Sequence, residues 1–279
     1  MISHIYLSKV STHLPIKFQH IINREKTGTI NKKSTSNISI IGERRRGSFT
    51  RSKKAKYKDI RKMEIPKKPR FLCFHGHASN AARLEEHFTN WPDYVLEKMD
   101  LVFIDGPFSV DDEKSEEELF DWFTMENNTY PNFDEGIAYI EDRMIELGPF
   151  DGVLGFSQGA LVAGVLPGMQ QQGICLTNVG KIEYAIIISG GQFGGRTFPA
   201  PELAETAFSS PINIPSLHIF GERDKARLNA LELVEAYVDP LVIYHNGHHE
   251  VPKLDEEGLK IMFEFLGKIN AVVDEAVLF

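Results

Sequence analysis

The chain has 279 residues, 42% of them hydrophobic, and a formal net charge of −8 at pH 7. This length and this ordinary apolar content allow a sizeable core, in one large domain or two small ones. The longest apolar runs fall far short of the roughly 18 residues of a membrane span, and no apolar stretch follows the first methionine. We therefore expect neither a transmembrane segment nor a secretory signal.

The chain has two cysteines, Cys73 and Cys175. Both lie in or near apolar runs, which favours buried thiols over a disulfide. A chain without disulfides suits a reducing compartment, so we expect a cytoplasmic protein.

The charge is divided unevenly along the chain. Residues 1–70 contain 19 of the 31 Lys and Arg residues but 4 of the 39 Asp and Glu residues. Because residues 1–66 lack apolar periodicity, we expect a mostly disordered basic extension. Three interpretations of it remain open: a solvated extension, a transit peptide for a plastid or mitochondrion, or a patch that binds nucleic acid or anionic lipid. We expect no nucleic-acid partner for the folded domain.

After this extension, short apolar segments alternate with amphipathic ones. The predicted strands are residues 71–74, 101–104, 152–155, 184–188, 215–220 and 240–244. The predicted helices are residues 81–88, 133–147, a helix from Gln158 onward, and residues 254–269. Strands that are apolar throughout and alternate with helices predict an α/β fold, with a mostly parallel sheet covered by helices on both faces.

This domain is expected to span residues 67–270, followed by a short tail over residues 271–279. Its length, about 200 residues, leaves no room for a separate lid domain. Residues 108–133 are acidic and irregular in pattern, with aromatic residues interspersed. They are the candidate cover for a site.

The most informative motif is G-x-S-x-G at Gly155 to Gly159, between an apolar strand and a small-residue helix. In that setting a serine lies on a sharp strand-to-helix turn, which exposes the Ser157 hydroxyl and directs the backbone N–H of Gln158 at its target. A packing turn or a phosphate-binding loop is the alternative. No G-K-[ST] follows and no G-x-G-x-x-G occurs here, which disfavours a nucleotide site. We predict that Ser157 is a nucleophile.

A nucleophilic serine needs a base and an acid that orients the base. Three histidines follow the last strand: His245, His248 and His249. One should be the base, and the missing carboxylate or thiolate set disfavours a metal cluster. Asp224 follows a strand and a turn, where an orienting acid would lie, although it could also cap the next helix.

Other candidates also follow strand ends, where sites form in parallel sheets. The loop from His75 to His77 would supply a second oxyanion donor, the backbone N–H of His77, unless it is a plain turn. Trp122 and Phe123 could line an acyl pocket or pack in the core. The remaining pocket candidates are His75, Asp105 and Ser189.

Together these segments resemble the FSH family of serine hydrolases, over about residues 67–268. The resemblance is carried by residues 71–80, 105–107, 121–123, 155–160, 188–190 and 245–252. The family pattern H-x-G-G-H-x-V-P, aligned on Val251-Pro252, implies that His249 is the base, and His248 stands where the pattern has its second glycine. The family often has two tryptophans where Trp122-Phe123 stand.

The resemblance implies a compact α/β-hydrolase that cleaves carboxyl esters or acyl thioesters without cofactor or metal. Its triad would be Ser157, His249 and Asp224, with a small-molecule acyl ester or thioester as substrate. The alternatives are an enzyme like the acyl-protein thioesterases and a non-catalytic receptor that binds a ligand on a hydrolase scaffold. The sequence does not predict an oligomeric state.

Overall fold

The computed structural model describes residues 68–276, with side chains as far as residue 270. The predicted basic extension, residues 1–66, lies outside the described residues, as do the last three residues. Within the described range, no helix combines the length and hydropathy of a membrane span.

The centre of the fold is a parallel sheet. The strands of the described chain are β1 (Arg70–Phe74), β2 (Asp100–Ile104), β3 (Phe108–Val110), β4 (Leu119–Asp121), β5 (Gly152–Phe156), β6 (Tyr184–Ile188), β7 (Ser216–Gly221) and β8 (Leu241–His245). The sheet has the order β2-β1-β5-β6-β7-β8, and every neighbouring pair in it is parallel. The predicted α/β fold class is confirmed.

Helices cover both faces of this sheet. Their bounds are α1 (Ala81–Phe88), α2 (Asp93–Leu96), α3 (Phe133–Leu147), α4 (Gln158–Gln171), α5 (Arg227–Glu235) and α6 (Glu256–Ala276), with a 3-10 turn at Glu202–Ala204. Side chains of α3, α4 and α5 share one buried cluster, and side chains of α1, α2 and α6 share the other.

The alternation of side chains along a strand explains why both faces are apolar. In β1, Leu72 and Phe74 join the cluster with α3 and α4, whereas Phe71 and Cys73 join the cluster with α1 and α6. Because water reaches neither face, the central strands are apolar at most positions, and the polar residues of β7, Ser216 and His218, are buried. This is the pattern from which the sheet was predicted.

The structure differs from the predicted elements in several places, and it contains two helices, α2 and α5, that were not predicted. Part of the segment 108–133 forms an antiparallel hairpin, β3 with β4, and Phe120 exchanges two backbone hydrogen bonds with Ser79. Burial alternates along these short strands, so they lack the continuous apolar run of a central strand. The last helix starts at Glu256 and reaches Ala276, so most of the segment 271–279 that was predicted as a tail is helical.

Parallel strands end at one edge of the sheet, and this edge collects the polar residues of interest. The loops after β1, β2, β5, β6, β7 and β8 carry, respectively, His75 with His77, Asp105, Ser157, Ser189, Asp224 and His249. Residues far apart in the sequence therefore meet at this edge.

Candidate active site

Ser157 lies on a strained turn between β5 and α4. Its backbone has φ 55° and ψ −113°, outside the regions that a residue with a Cβ favours. Its N–H donates to the carbonyl oxygen of Ile188 at the end of β6, at 3.0 Å. Such backbone strain costs about 1–3 kcal/mol and persists where surrounding contacts hold it. The turn lifts the serine side chain off the sheet edge.

Three glycines allow the backbone to approach this turn closely. A Cβ on Gly155 would lie 2.1 Å from the carbonyl oxygen of Gly159, and a Cβ on Gly159 would lie 2.2 Å from that of Phe74. A Cβ on Gly76 would lie 3.3 Å from the Cβ of Ser157. The two motif glycines therefore permit the turn, and Gly76 lets the loop after β1 pass beside the serine.

His249 connects Ser157 to Asp224. Its Nε2 is 2.8 Å from the Ser157 Oγ, and its Nδ1 is 3.0 Å from each carboxylate oxygen of Asp224. A carboxylate accepts hydrogen bonds, so Nδ1 carries the proton and Nε2 is free to accept the serine proton. The geometry has the arrangement of a nucleophile, a base and an orienting acid.

The Asp224 carboxylate is buried and charged. Burial raises the pKa of its carboxyl, but the N–H of Ala226, which donates at 2.7 Å, and the hydrogen bond from His249 outweigh this effect. Its pKa is therefore lower than usual. The Ser189 hydroxyl acts in the same direction at longer range, because no hydrogen bond of ordinary geometry joins the two. The carboxylate thus bonds both His249 and the backbone just before α5.

The two other histidines near His249, His245 at the end of β8 and His248 in the loop that follows, form no hydrogen bond with Ser157. His245 accepts a hydrogen bond from the N–H of Gly247 at 3.1 Å, and burial lowers its pKa. His248 is exposed, and its N–H donates to Glu250. Across residues 68–276, no group of three or more His, Cys, Asp or Glu side chains is arranged to hold a metal ion.

Two backbone N–H groups near Ser157 are free to bind an oxyanion. The N–H of His77 and that of Gln158 donate to no acceptor within the described part of the chain. Both residues line the cavity that contains Ser157. These are the two donors predicted from the sequence, and their role remains a prediction.

A largely apolar cavity of about 580 Å³ opens beside Ser157. Of the predicted pocket residues, Phe123 and Ser189 line it, whereas His75, Asp105 and Trp122 do not. The other residues of its wall, apart from those of the site, are Asp121, Thr124, Met125, Glu126, Leu161, Gly190, Phe198 and Ala226.

The three residues outside the cavity support the loops around it. His75 is fully buried, and this burial lowers its pKa. Its Nδ1 donates a hydrogen bond to the carbonyl oxygen of Gly76, and its Nε2 accepts one from the N–H of Gly106. The Trp122 ring packs on Phe74 in the core. The Asp105 carboxylate accepts the N–H of Ala81 at the start of α1. Hydrogen bonds and packing within the protein hold all three side chains outside the cavity wall.

Comparison with known proteins identifies the family. The family model described as serine hydrolase (FSH1) matches residues 63–261, which include every residue of the site. The chain belongs to this serine hydrolase family. The FSH1 resemblance predicted from the sequence is therefore confirmed, and with it the hydrolase class.

Two relatives of similar sequence agree with the FSH1 assignment. Esterase OVCA2 of Xenopus tropicalis is 28% identical over 71% of this chain and 92% of its own length. Esterase CG5412 of Drosophila melanogaster is 27% identical over 68% of this chain and 71% of its own length. Among solved structures, acyl-protein thioesterase 2 of Zea mays is 18% identical over 75% of this chain and 96% of its own, with a TM-score of 0.46.

Several residues of this FSH1-family site have no clear signal in the sequence. Phe198 and Met125 reach the cavity from irregular loops without periodicity. The Gln158 side chain bonds the N–H of Trp122 and the carbonyl oxygen of Phe123. Its position directly after the serine marks Gln158 as a backbone donor but does not indicate this second role.

Proposed function

We propose that this chain hydrolyses carboxylic esters of small acyl compounds through an acyl-enzyme on Ser157. The single observation that carries the proposal is the 2.8 Å contact of Ser157 Oγ with His249 Nε2, while Asp224 holds His249 Nδ1. A serine hydroxyl is a weak nucleophile until a neighbouring base takes its proton. This arrangement supplies such a base in the required tautomer.

The proposed reaction has two halves. Ser157 Oγ forms a bond to the substrate carbonyl carbon as His249 Nε2 takes the serine proton, and the carbonyl oxygen becomes an oxyanion. His249 then returns the proton to the leaving alcohol as the ester C–O bond breaks. A water molecule, deprotonated by the same nitrogen, then forms a bond to the acyl carbon. The bond between that carbon and Ser157 Oγ breaks, His249 returns the proton to Oγ, and the carboxylic acid leaves.

The backbone N–H groups of His77 and Gln158 are proposed to bind the oxyanion. Each such donor contributes about 3 kcal/mol to transition-state stabilisation. Both N–H groups lack an acceptor in the described part of the chain, so no internal hydrogen bond has to break first. This availability supports their role.

The cavity supports an acyl substrate. Phe123, Met125, Leu161 and Phe198 give its wall an apolar character, which suits a hydrocarbon chain. The names of the relatives, esterase OVCA2 and esterase CG5412, favour an ester over a thioester. We therefore propose a small-molecule acyl ester as the substrate class.

A substrate panel tests this proposal. The full chain is assayed with p-nitrophenyl acetate, butyrate and octanoate, and with thioesters of the same three acyl groups. We expect saturable turnover of the esters, with a larger kcat/KM than for the matching thioesters. A cooperative melting transition shows that the assayed protein is folded. If such protein turns over none of the esters, the proposal is contradicted.

Residues 1–66 should be dispensable for this activity. Every residue of the proposed site lies in the described range, and the segment has too little apolar periodicity to add a packed layer. A chain that begins at Ile65 should keep its Tm within about 3 °C, and thus its stability within about 1 kcal/mol. Its kcat/KM for p-nitrophenyl butyrate should stay within about twofold, or about 0.4 kcal/mol.

A larger loss of Tm or kcat/KM in the truncated chain would mean that the basic residues 1–66 contribute by binding to the acidic remainder of the chain. Such binding through charge should weaken above about 0.15 M salt, where the Debye length falls to about 8 Å. The control is therefore the same comparison at 0.05 M and 0.5 M salt. A loss that is equal at both salt concentrations would contradict both the dispensability and its electrostatic alternative.

A further inference from the structure

Asp121 is the last residue of β4. Its buried carboxylate forms hydrogen bonds with the loop that follows β1. Its side chain is 6% exposed. It accepts the N–H of Ala78 at 2.8 Å, and both of its oxygens lie 2.9 Å from the Nδ1 of His77. A buried carboxylate needs such partners, because an unpaired one is costly. Asp121 thus binds the side chain of His77 and the peptide that follows it.

The loop needs support at this point. Ala78 has φ 45°, in the left-handed region that a residue with a Cβ rarely adopts. The His77 side chain is 69% exposed, so packing does little to fix it. The Asp121 carboxylate bonds the N–H of the strained residue directly. Without this acceptor, the peptide between His77 and Ala78 would lose its hydrogen bond, whereas the peptide before His77 keeps the hydrogen bond between the Gly76 carbonyl oxygen and the His75 ring.

Trp122 and Phe123, the two residues after Asp121, form hydrogen bonds with the Gln158 side chain. The N–H of Trp122 donates to Gln158 Oε1 at 2.8 Å, and Gln158 Nε2 donates to the carbonyl oxygen of Phe123 at 3.0 Å. The side chains of His77 and Gln158 are therefore bonded to one three-residue segment, Asp121 to Phe123. His77 and Gln158 are the two residues whose backbone N–H groups the proposed function assigns to the oxyanion.

We propose that Asp121 is a positioning residue for the oxyanion site, an inference that rests on the proposed function. Hydrogen-bond donors stabilise an oxyanion strongly only when they are already in place before charge develops. The Asp121 carboxylate holds His77 in place. The two residues that follow Asp121 form the backbone hydrogen bonds with the Gln158 side chain. Its own negative charge would oppose an oxyanion, so its contribution is geometric and not electrostatic.

Two substitutions separate these contributions. Asp121→Ala leaves the N–H of Ala78 without its acceptor and releases the His77 ring. Asp121→Asn keeps the shape and one acceptor oxygen but removes the charge. We expect kcat for p-nitrophenyl butyrate to fall about 100-fold in Asp121→Ala, with KM within about threefold, since small misplacements of reacting groups cost about this much. Asp121→Asn should recover most of that loss.

An alkyl trifluoromethyl ketone supplies a readout that a general loss of stability would not move. Such a ketone binds as a tetrahedral oxyanion on a nucleophilic serine, so its affinity should fall by the same factor as kcat/KM. The affinity for butyrate, the planar product, should change less than about threefold. His77→Phe removes the hydrogen bond between Asp121 and the exposed His77 ring but keeps the one between Asp121 and the N–H of Ala78. It should lower kcat and ketone affinity in parallel by a smaller factor, about three- to tenfold. This variant serves if Asp121→Ala fails to fold.

Several outcomes would overturn the inference. Folded Asp121→Ala with kcat within threefold of the wild type would do so, and so would a loss of kcat at unchanged ketone affinity. Asp121→Asn as impaired as Asp121→Ala would assign the effect to charge. If Asp121→Ala does not fold, unchanged kcat and ketone affinity in His77→Phe would overturn it. A wild-type chain that neither turns over ester nor forms a ketone adduct on Ser157 would instead contradict the proposed function itself.

Discussion

Ser157→Ala should lower kcat for p-nitrophenyl butyrate by about 10⁴-fold or more. The substitution removes the atom that lies 2.8 Å from His249 Nε2, and no other hydroxyl of the described residues forms a hydrogen bond with that nitrogen. In serine hydrolases, loss of the nucleophile alone removes about as much activity as loss of the whole triad. Alanine keeps the Cβ at φ 55°, so the strain of the turn is unchanged.

The control for Ser157→Ala is its melting temperature, which should stay within about 3 °C of the wild type, or about 1 kcal/mol. Substrate binding should also survive, because the cavity keeps its apolar wall. Residual activity above one tenth of the wild type would remove Ser157 as the nucleophile. That result would leave the fold and the family assignment intact.

His249→Ala should reduce kcat about as much as Ser157→Ala, because residues of a triad act as a unit. It removes both the base for Ser157 and the partner of Asp224, which would then be left buried with its charge less compensated. The assay is the same ester hydrolysis over pH 5–9. Stronger activity at high pH in the variant would reflect hydroxide acting in place of the missing base.

The matched control is His248→Ala, one residue earlier in the same loop. His248 is exposed, and its contact with Glu250 is made by its backbone N–H, which the substitution keeps. We expect kcat within about threefold of the wild type, a difference of about 0.65 kcal/mol in activation free energy. An inactive His248→Ala together with an active His249→Ala would reverse the assignment of the base.

The sequence predicted the sheet and the motif serine because both depend on local patterns. The central strands are apolar on both faces, and the glycines at 155 and 159 stand where a Cβ would overlap neighbouring backbone. Each of these constraints restricts the residue type at a particular position. The pattern therefore indicates the structure without any knowledge of distant contacts.

The pocket could not be predicted in the same way, because loop direction decides which side chains reach it. Trp122 packs in the core whereas the adjacent Phe123 lines the cavity. Similarly, His75 is buried behind the loop whereas His77, two residues later, lines the cavity. In both pairs the residue type suits either position. The path of the backbone, set by contacts far along the chain, makes the difference.

The most direct test of the account is covalent labelling with a fluorophosphonate probe. We expect one adduct per chain, located at Ser157 by peptide mass spectrometry, with ester hydrolysis lost in proportion to labelling. Ser157→Ala should take up no probe, and His249→Ala should react far more slowly, because the probe needs an activated serine. A folded wild-type chain that takes up no probe would contradict an acyl-enzyme on Ser157 and favour a non-catalytic receptor. Labelling at another serine would contradict Ser157 as the nucleophile.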